Sequence, residues 1–194
     1  LERDEIRSLV AEVLAEVSDQ IHPVIDKAWN KLIVELLTQK CSTPVAAVKG
    51  VAATYRMTNR PPPKQASPFV STILRPIKEF DREFANRTPD RIGAKWKQQV
   101  VVIIADRYAG AVADLIATVE RTEEALKNRR TRRTSAGGMS DGEKVKLQLF
   151  LDYRTFSDDV REVGLEPSTI IGLSKLGELT ADGEKLSQRG MNGA

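Results

Sequence analysis

Thr88–Leu126, TPDRIGAKWKQQVVVIIADRYAGAVADLIATVERTEEAL, is the stretch on which the fold turns. Trp96, Val100, Ile103, Ile104, Arg107, Ala111, Leu115, Val119, Thr122 and Leu126 recur at three- and four-residue steps, the period of one helix face. The start is marked as well. Thr88 can cap, Pro89 suits the first helical position, and Asp90 suits the positive end of the helix dipole. These signals predict one helix of roughly 40 residues, about 60 Å at 1.5 Å per residue. A single compact bundle rarely needs so long an element. The expectation is therefore an all-α chain, an elongated antiparallel helical bundle or helical rod.

Upstream, Tyr55–Phe80 reads YRMTNRPPPKQASPFVSTILRPIKEF. Val48, Val51, Ala52 and Tyr55 fall at helical spacing before it. Pro61, Pro62 and Pro63 lack N–H groups and push each preceding residue out of the helical region, which predicts a short, stiff, extended connector. Ser67-Pro68 reads as an N-cap followed by a first-position proline. Ile73, Ile77, Phe80 and Phe84 then form an apolar stripe, with a kink or break expected at Pro76. Nearer the N-terminus, Ile6, Leu9, Val10, Val13, Leu14, Val17 and Ile21, and then Val24, Ala28, Leu32 and Leu36 with Trp29, predict helix interrupted at Pro23. Thr43-Pro44 signals a new start. Leu1 enters a helical pattern almost at once, so the chain reads as a piece of something longer.

Downstream, Lys127–Gly138, KNRRTRRTSAGG, is a basic linker ending in paired glycines. Ser140 and Glu143 have capping-box spacing. Leu149, Phe150, Tyr153, Phe156, Val160 and Val163 form the buried face of the helix they open, and Gly164 suits its left-handed cap. Glu166-Pro167-Ser168 restarts helix carrying Ile170, Ile171, Leu173, Leu176 and Leu179. The resulting division is an N-terminal helical segment at 1–40, kinked at Pro23, and a central bundle at 44–130 containing the proline-rich connector 59–68. A basic linker at 131–139, a C-terminal helical segment at 140–180 and a disordered tail at 181–194 follow. No stretch reads as a strand.

Composition narrows the chemistry. Hydrophobic content of 41% and charged content of 29% are ordinary for a globular chain. A net charge of +3, from 30 basic and 27 acidic residues, is too small to announce a nucleic-acid binder. No apolar run reaches the roughly 20 residues needed to span a bilayer. The single cysteine, Cys41, excludes an intrachain disulfide and reads as a small inert thiol. The single histidine, His22, reads as a partly buried side chain at a helix junction. One Cys and one His make no zinc site. Glu123-Glu124 and Asp158-Asp159 are adjacent on helices and point in different directions. Phosphate-binding glycine loops are absent, and Gly137-Gly138 follows no strand. No catalytic, cofactor-binding or metal residues emerge, and no cofactor is expected.

The basic cluster Lys127, Arg129, Arg130, Arg132 and Arg133 is the one electrostatic feature. It suits a solvated linker, anionic lipid or the phosphates of nucleic acid, although no aromatic side chain between Tyr108 and Phe150 would stack a base. Contacts with proteins would instead use helix faces, with apolar, aromatic or arginine anchors. Arg129, Arg130, Arg132 and Arg133, together with Trp96 and Leu149 on the two clearest helices, form the candidate interaction surface.

Two stretches also carry a family signal. One is Tyr55-Arg56-Met57-Thr58-Asn59-Arg60 with the following SPFVSTILRPIKEF, especially Ser67, Val70, Leu74 and Pro76. The other is Gly137-Gly138-Met139-Ser140-Asp141 leading into EKVKLQLFLD and then Val163-Gly164-Leu165. In this order and spacing they resemble the C-terminal region of subunit 2 of the conserved oligomeric Golgi complex, the first stretch being closest to plant members. The Trp29 segment resembles part of the same region. There is one departure: the family pattern has a further helical stretch between the Trp29 segment and the Tyr55 motif, where Leu36–Val48 bridges them directly. The resemblance implies a helical rod of the vesicle-tethering type, without enzymatic activity, on the cytosolic face of the Golgi membrane. It implies sister subunits as partners, SNAREs or small GTPases as further ones, and peripheral membrane association in intra-Golgi transport, with no nucleic acid. The alternative from the residues alone is a membrane-surface or nucleic-acid adaptor using 127–133.

Overall fold

The computed structural model describes residues 3–56, 58, 60–84, 90–129 and 139–191. Every regular element among them is helical: α1 (Arg3–Val45), α2 (Val51–Tyr55), α3 (Val70–Ile73), α4 (Arg75–Phe84), α5 (Asp90–Arg129), α6 (Asp141–Glu162) and α7 (Ile171–Met191), with 3-10 turns at Ala46–Gly50 and Pro167–Thr169. The chain divides into two compact units, Leu1–Leu36 and Leu37–Ala194.

The first unit is helix throughout its described length. No new helix begins at Pro23, which sits inside α1. Its apolar stripe is solvent-facing: Ile6, Leu9, Val10, Val13, Leu14, Val17, Ile21, Val24, Ile25, Trp29, Leu32 and Leu36 are all exposed. The expected boundary at 40–44 is also absent. Thr43 does not cap a new helix, because its hydroxyl donates to the Gln39 carbonyl (3.2 Å), just as Ser42 Oγ donates to Thr38 (2.6 Å). Both hydroxyls bond back along α1, which continues to Val45.

In the second unit α2 ends at Tyr55, where Arg56 turns extended (ψ 113°) ahead of the prolines. The break expected at Pro76 falls at Leu74 (φ −94°, ψ 3°). Pro76 has no N–H to return to Thr72. The Leu74 carbonyl instead accepts from Ile77 (3.1 Å) and Lys78 (3.2 Å), so Pro76 occupies the first turn of α4, where its missing donor costs nothing.

α5 is 40 residues long. Its buried face includes Trp96, Val100, Ile104, Leu115 and Val119, joined by Val101, Ala105, Tyr108, Ala109 and Val112. Arg107 is exposed, and Ile103, Ala111 and Thr122 are only half-buried, so the face is rotated and wider than the expected stripe. The cause is that α6, α7 and the 46–50 turn all pack against this helix. Thr88 and Pro89 lie outside the described residues.

α6 is capped at both ends. Ser140 Oγ accepts from the Glu143 N–H (3.1 Å), and Glu143 Oε2 accepts from the Ser140 N–H (2.7 Å). At the other end Gly164 has φ +84°, its N–H reaches the Arg161 carbonyl (2.9 Å), and Leu165 N–H reaches Val160 (3.2 Å). This is the double bond pattern of a Schellman cap, at a φ that a side chain would strain. The chain then reverses through Pro167–Thr169 into α7, which packs against both α6 and α5. Where it meets α5, a Cβ on Gly172 would sit 2.6 Å from the Ala105 carbonyl carbon, so only hydrogen fits.

The tail expected to be disordered from 181 is helical through Met191. It has more to bury than its polar composition suggests. Gly183 is buried, Leu186 is half-buried, and Asp182 pairs with Lys146 (3.5 Å), which also reaches Glu120 on α5 (3.3 Å). Ile171 departs in the other direction: it is exposed, because Ile170 and Leu173 take the inward positions. The centre of the unit is formed by Tyr108, Phe156, Ile104, Leu149, Ile170, Leu173 and Leu176, all under 2% exposed. Tyr108 and Phe156 meet edge to face, with centroids 5.2 Å apart.

Candidate functional site

Two stretches distant in sequence meet in one buried polar network. α2 ends with Tyr55 pointing at α6. The connector then runs outside, with Arg60, Pro61, Pro62 and Lys64 exposed, and returns at Ser67. On α6, Gln148 and Asp152 are four residues apart and so share a face. Tyr55 Oη donates to Gln148 Oε1 (2.6 Å). Gln148 Nε2 donates to the Gln65 carbonyl (3.0 Å) and to Asp152 Oδ1 (2.9 Å). The Ser67 N–H donates to Asp152 Oδ1 (2.6 Å) and its hydroxyl to Asp152 Oδ2 (2.9 Å). The connector is thus tied at both ends to one helix.

Asp152 is fully buried. Burial raises its carboxyl above the usual range, opposed by the bonds from Ser67 and Gln148. Burial, with the Asp152 carboxylate adding to it, also raises the Tyr55 phenol, and Arg60 opposes the rise. Tyr55 therefore acts as a fixed hydrogen-bond donor. The network forms part of the wall of an open groove of about 810 Å³, lined among others by Tyr55, Arg60, Pro62, Lys64, Ser67 and Gln148. The polar groups of the network bond to one another, so the arrangement does the work of a clasp.

Ser67 departs from its expected role. α3 starts at Val70 without a side-chain cap, and the Ser67 hydroxyl is committed to Asp152. The buried carboxylate, with two acceptor oxygens, accepts from both the Ser67 hydroxyl and the Ser67 N–H, and the Val70 N–H donates to the Ser67 carbonyl and not to its side chain. The sequence does carry a signal for the clasp: Gln148 and Asp152 are polar positions at i and i+4 on an otherwise apolar face of α6.

The candidate surface residues are not brought together. Trp96 is 8% exposed and packs its ring 6.0 Å from Phe80, and Leu149 is 1% exposed. Both are core side chains, so the expectation that they contact partners is corrected. Arg129 is the last residue of α5, while Arg130, Arg132 and Arg133 lie outside the described residues. His22 is exposed in the middle of α1, with Ser18 Oγ 3.0 Å from its Nδ1, rather than half-buried at a junction. Cys41 is fully buried, and burial pushes its thiol up to about 12, far from a reactive thiolate. Among the described residues no group of three or more His, Cys, Asp or Glu side chains could hold a metal ion. None of the described helices is long and apolar enough to cross a membrane.

Residues 1–153 match the family model described as COG complex component, COG2, C-terminal. This stretch contains Tyr55, Ser67, Gln148 and Asp152, the four side chains of the clasp. The chain belongs to that family. It is 29% identical over 182 residues to the human conserved oligomeric Golgi complex subunit 2, covering 90% of this chain and 24% of that protein. Its identity to the Drosophila melanogaster protein of the same name is 30% over 173 residues, 81% of this chain and 24% of the relative. For the Arabidopsis thaliana protein of that name the figures are 29% over 154 residues, 73% and 20%. The chain therefore spans a quarter or less of the curated relatives it matches. No solved structure matches it.

Proposed function

We propose that the chain is a non-enzymatic part of a subunit of a Golgi vesicle-tethering complex, held at the cytosolic face of the Golgi membrane and acting through protein–protein contacts in intra-Golgi transport and Golgi organisation. Sister subunits are its partners, with SNAREs or small GTPases meeting the assembled complex. The observation that carries this reading is the use made of the family-signature residues. Tyr55, Ser67, Gln148 and Asp152 are spent on holding helices together. That is the demand on a scaffold whose outer faces bind, and it differs from that on a pocket that reacts.

On this view association depends on the folded helical unit more than on the charge of 127–133. In the full-length protein, neutralising Arg129, Arg130, Arg132 and Arg133 is expected to leave co-precipitation of the sister subunits largely intact. Leu149→Pro, which costs about 3 kcal/mol or more in a helix interior, should abolish it. A charge-neutral variant that loses its partners while the proline variant keeps them would make the basic segment the functional site, as the adaptor alternative requires.

A further inference from the structure

The near-neutral total of the chain hides a one-sided stretch. Residues 36–78 contain seven basic and no acidic side chains, although the whole chain carries only +3. Two of the seven are already paired, Arg75 with Glu79, and Lys78 with Asp159 and Glu162. Lys49, Arg56, Arg60 and Lys64 are exposed, and no ion pair joins them to any described residue. Arg60 and Lys64 line the groove of about 810 Å³ between α2 and the connector, and no acidic side chain lines it. Lys49 and Arg56 are the chain neighbours of Gly50 and Tyr55, which line it too. We propose, on the reading of the chain as a protein-binding scaffold, that this groove docks an extended acidic segment of a partner protein, with its carboxylates on Arg60 and Lys64.

Size, charge and stiffness all suit such an occupant. The volume falls within the roughly 300–1,000 Å³ of ligand-binding clefts. Three consecutive prolines favour the extended polyproline form, which at about 3.1 Å per residue sets Arg60 and Lys64 about 12 Å apart. An extended peptide rises about 3.3 Å per residue, so acidic side chains four positions apart reach both. The clasp holds the two ends of the connector on α6, through Tyr55 on Gln148 and Ser67 on Asp152, so the wall is already ordered before anything docks. There is room at Gly50, where an added Cβ would meet no atom within 4 Å. Asp152 does not compete for the basic side chains, because both its carboxylate oxygens already accept from Ser67 and Gln148. Nucleic acid suits the groove less well. Of the two aromatic rings on its wall, Tyr55 is buried and Phe69 half-buried, which leaves no open platform to stack a base. A flat bilayer would touch the rim and leave the space at Gly50 unfilled.

The test is fluorescence anisotropy of a fluorescein-labelled peptide of about five Glu-Pro repeats, extended in solution, titrated with the whole chain and with the full-length protein. Saturable binding that weakens with salt is expected from both, and none of the matching Lys-Pro peptide. Arg60→Glu with Lys64→Glu should weaken binding about tenfold or more and take up the Lys-Pro peptide instead. Gly50→Trp fills the open space and should weaken binding as much. Neutralising Arg129, Arg130, Arg132 and Arg133 should change nothing. Residues 50, 60 and 64 are exposed, so unchanged thermal unfolding and helical circular dichroism should accompany these losses. Absence of binding, loss only on neutralising 129–133, or insensitivity to Gly50→Trp would each overturn the proposal. So would phosphatidylserine vesicles or duplex DNA that displace the peptide through Arg60 and Lys64. Binding by the chain but not by the full-length protein would overturn it too, since the groove would then be covered from within. Co-precipitation of sister subunits is measured on the same full-length variants. Intact co-precipitation without peptide binding overturns the groove and leaves the scaffold reading in place.

Discussion

Asp152→Ala is expected to cost about 3 kcal/mol of folding stability. Asp152 Oδ1 accepts from the Ser67 N–H and from Gln148 Nε2, and Oδ2 accepts from the Ser67 hydroxyl. Truncation leaves these three donors without their acceptor beside a helix face that is otherwise apolar, and each buried unmet donor costs about 1–3 kcal/mol. Relief from burying the carboxylate offsets part of that sum. Denaturant unfolding checks the result, and a midpoint equal to the parent's would show that the clasp contributes nothing. The pH dependence tests the electrostatics separately. Burial raises the folded-state pKa of Asp152 above its unfolded value of 3.8. A raised carboxyl favours folding at pH below 3.8, and that contribution is lost as pH rises through the folded-state pKa. Asp152→Asn cannot titrate. From pH 7 down to pH 4 the parent should therefore gain stability relative to Asp152→Asn, and a difference that widens the other way would contradict the direction of the shift.

Phe156→Ala should be more damaging, about 3–5 kcal/mol. The ring is fully buried and stands edge to face with Tyr108 at an interplanar angle of 86°. Removing it opens a cavity between α5 and α6 that close helix contacts such as Gly172 on Ala105 give little room to collapse. Phe156→Leu fills most of the volume and should recover most of the loss. Thermal unfolding of Phe156→Ala that matched the parent would show this face to be exposed.

The length of α5 and both ends of α6 were legible because their signals are local. The spacing after Asp90, the Ser140–Glu143 reciprocal cap and the left-handed Gly164 each involve residues within a turn or two of one another. What was not legible depends on partners distant in the chain. Ser67 reads as an N-cap next to Pro68, but a carboxylate 85 residues away takes its hydroxyl. Trp96 and Leu149 read as anchors for other proteins because large apolar side chains serve cores and interfaces alike. The 181–191 segment looks too polar to order itself, and it is ordered by lying against α6. Conversely, the periodicity of residues 6–36 announces a buried face, yet nothing in its own unit covers it. Periodicity reports that a face needs a partner and does not say which.

The connector is clamped to α6 by the buried carboxylate of Asp152. The most direct test is the exchange rate of the Ser67 amide, followed by NMR in deuterated water. Ser67 lies outside any helix, and an unclamped amide there would exchange as fast as that of exposed Lys64. The clamp predicts that it exchanges as slowly as the amide of Leu149 in the α6 core, and that Asp152→Asn, with a weaker acceptor, speeds it while Leu149 stays slow. A Ser67 amide exchanging at the rate of Lys64 in the unaltered chain would contradict the account.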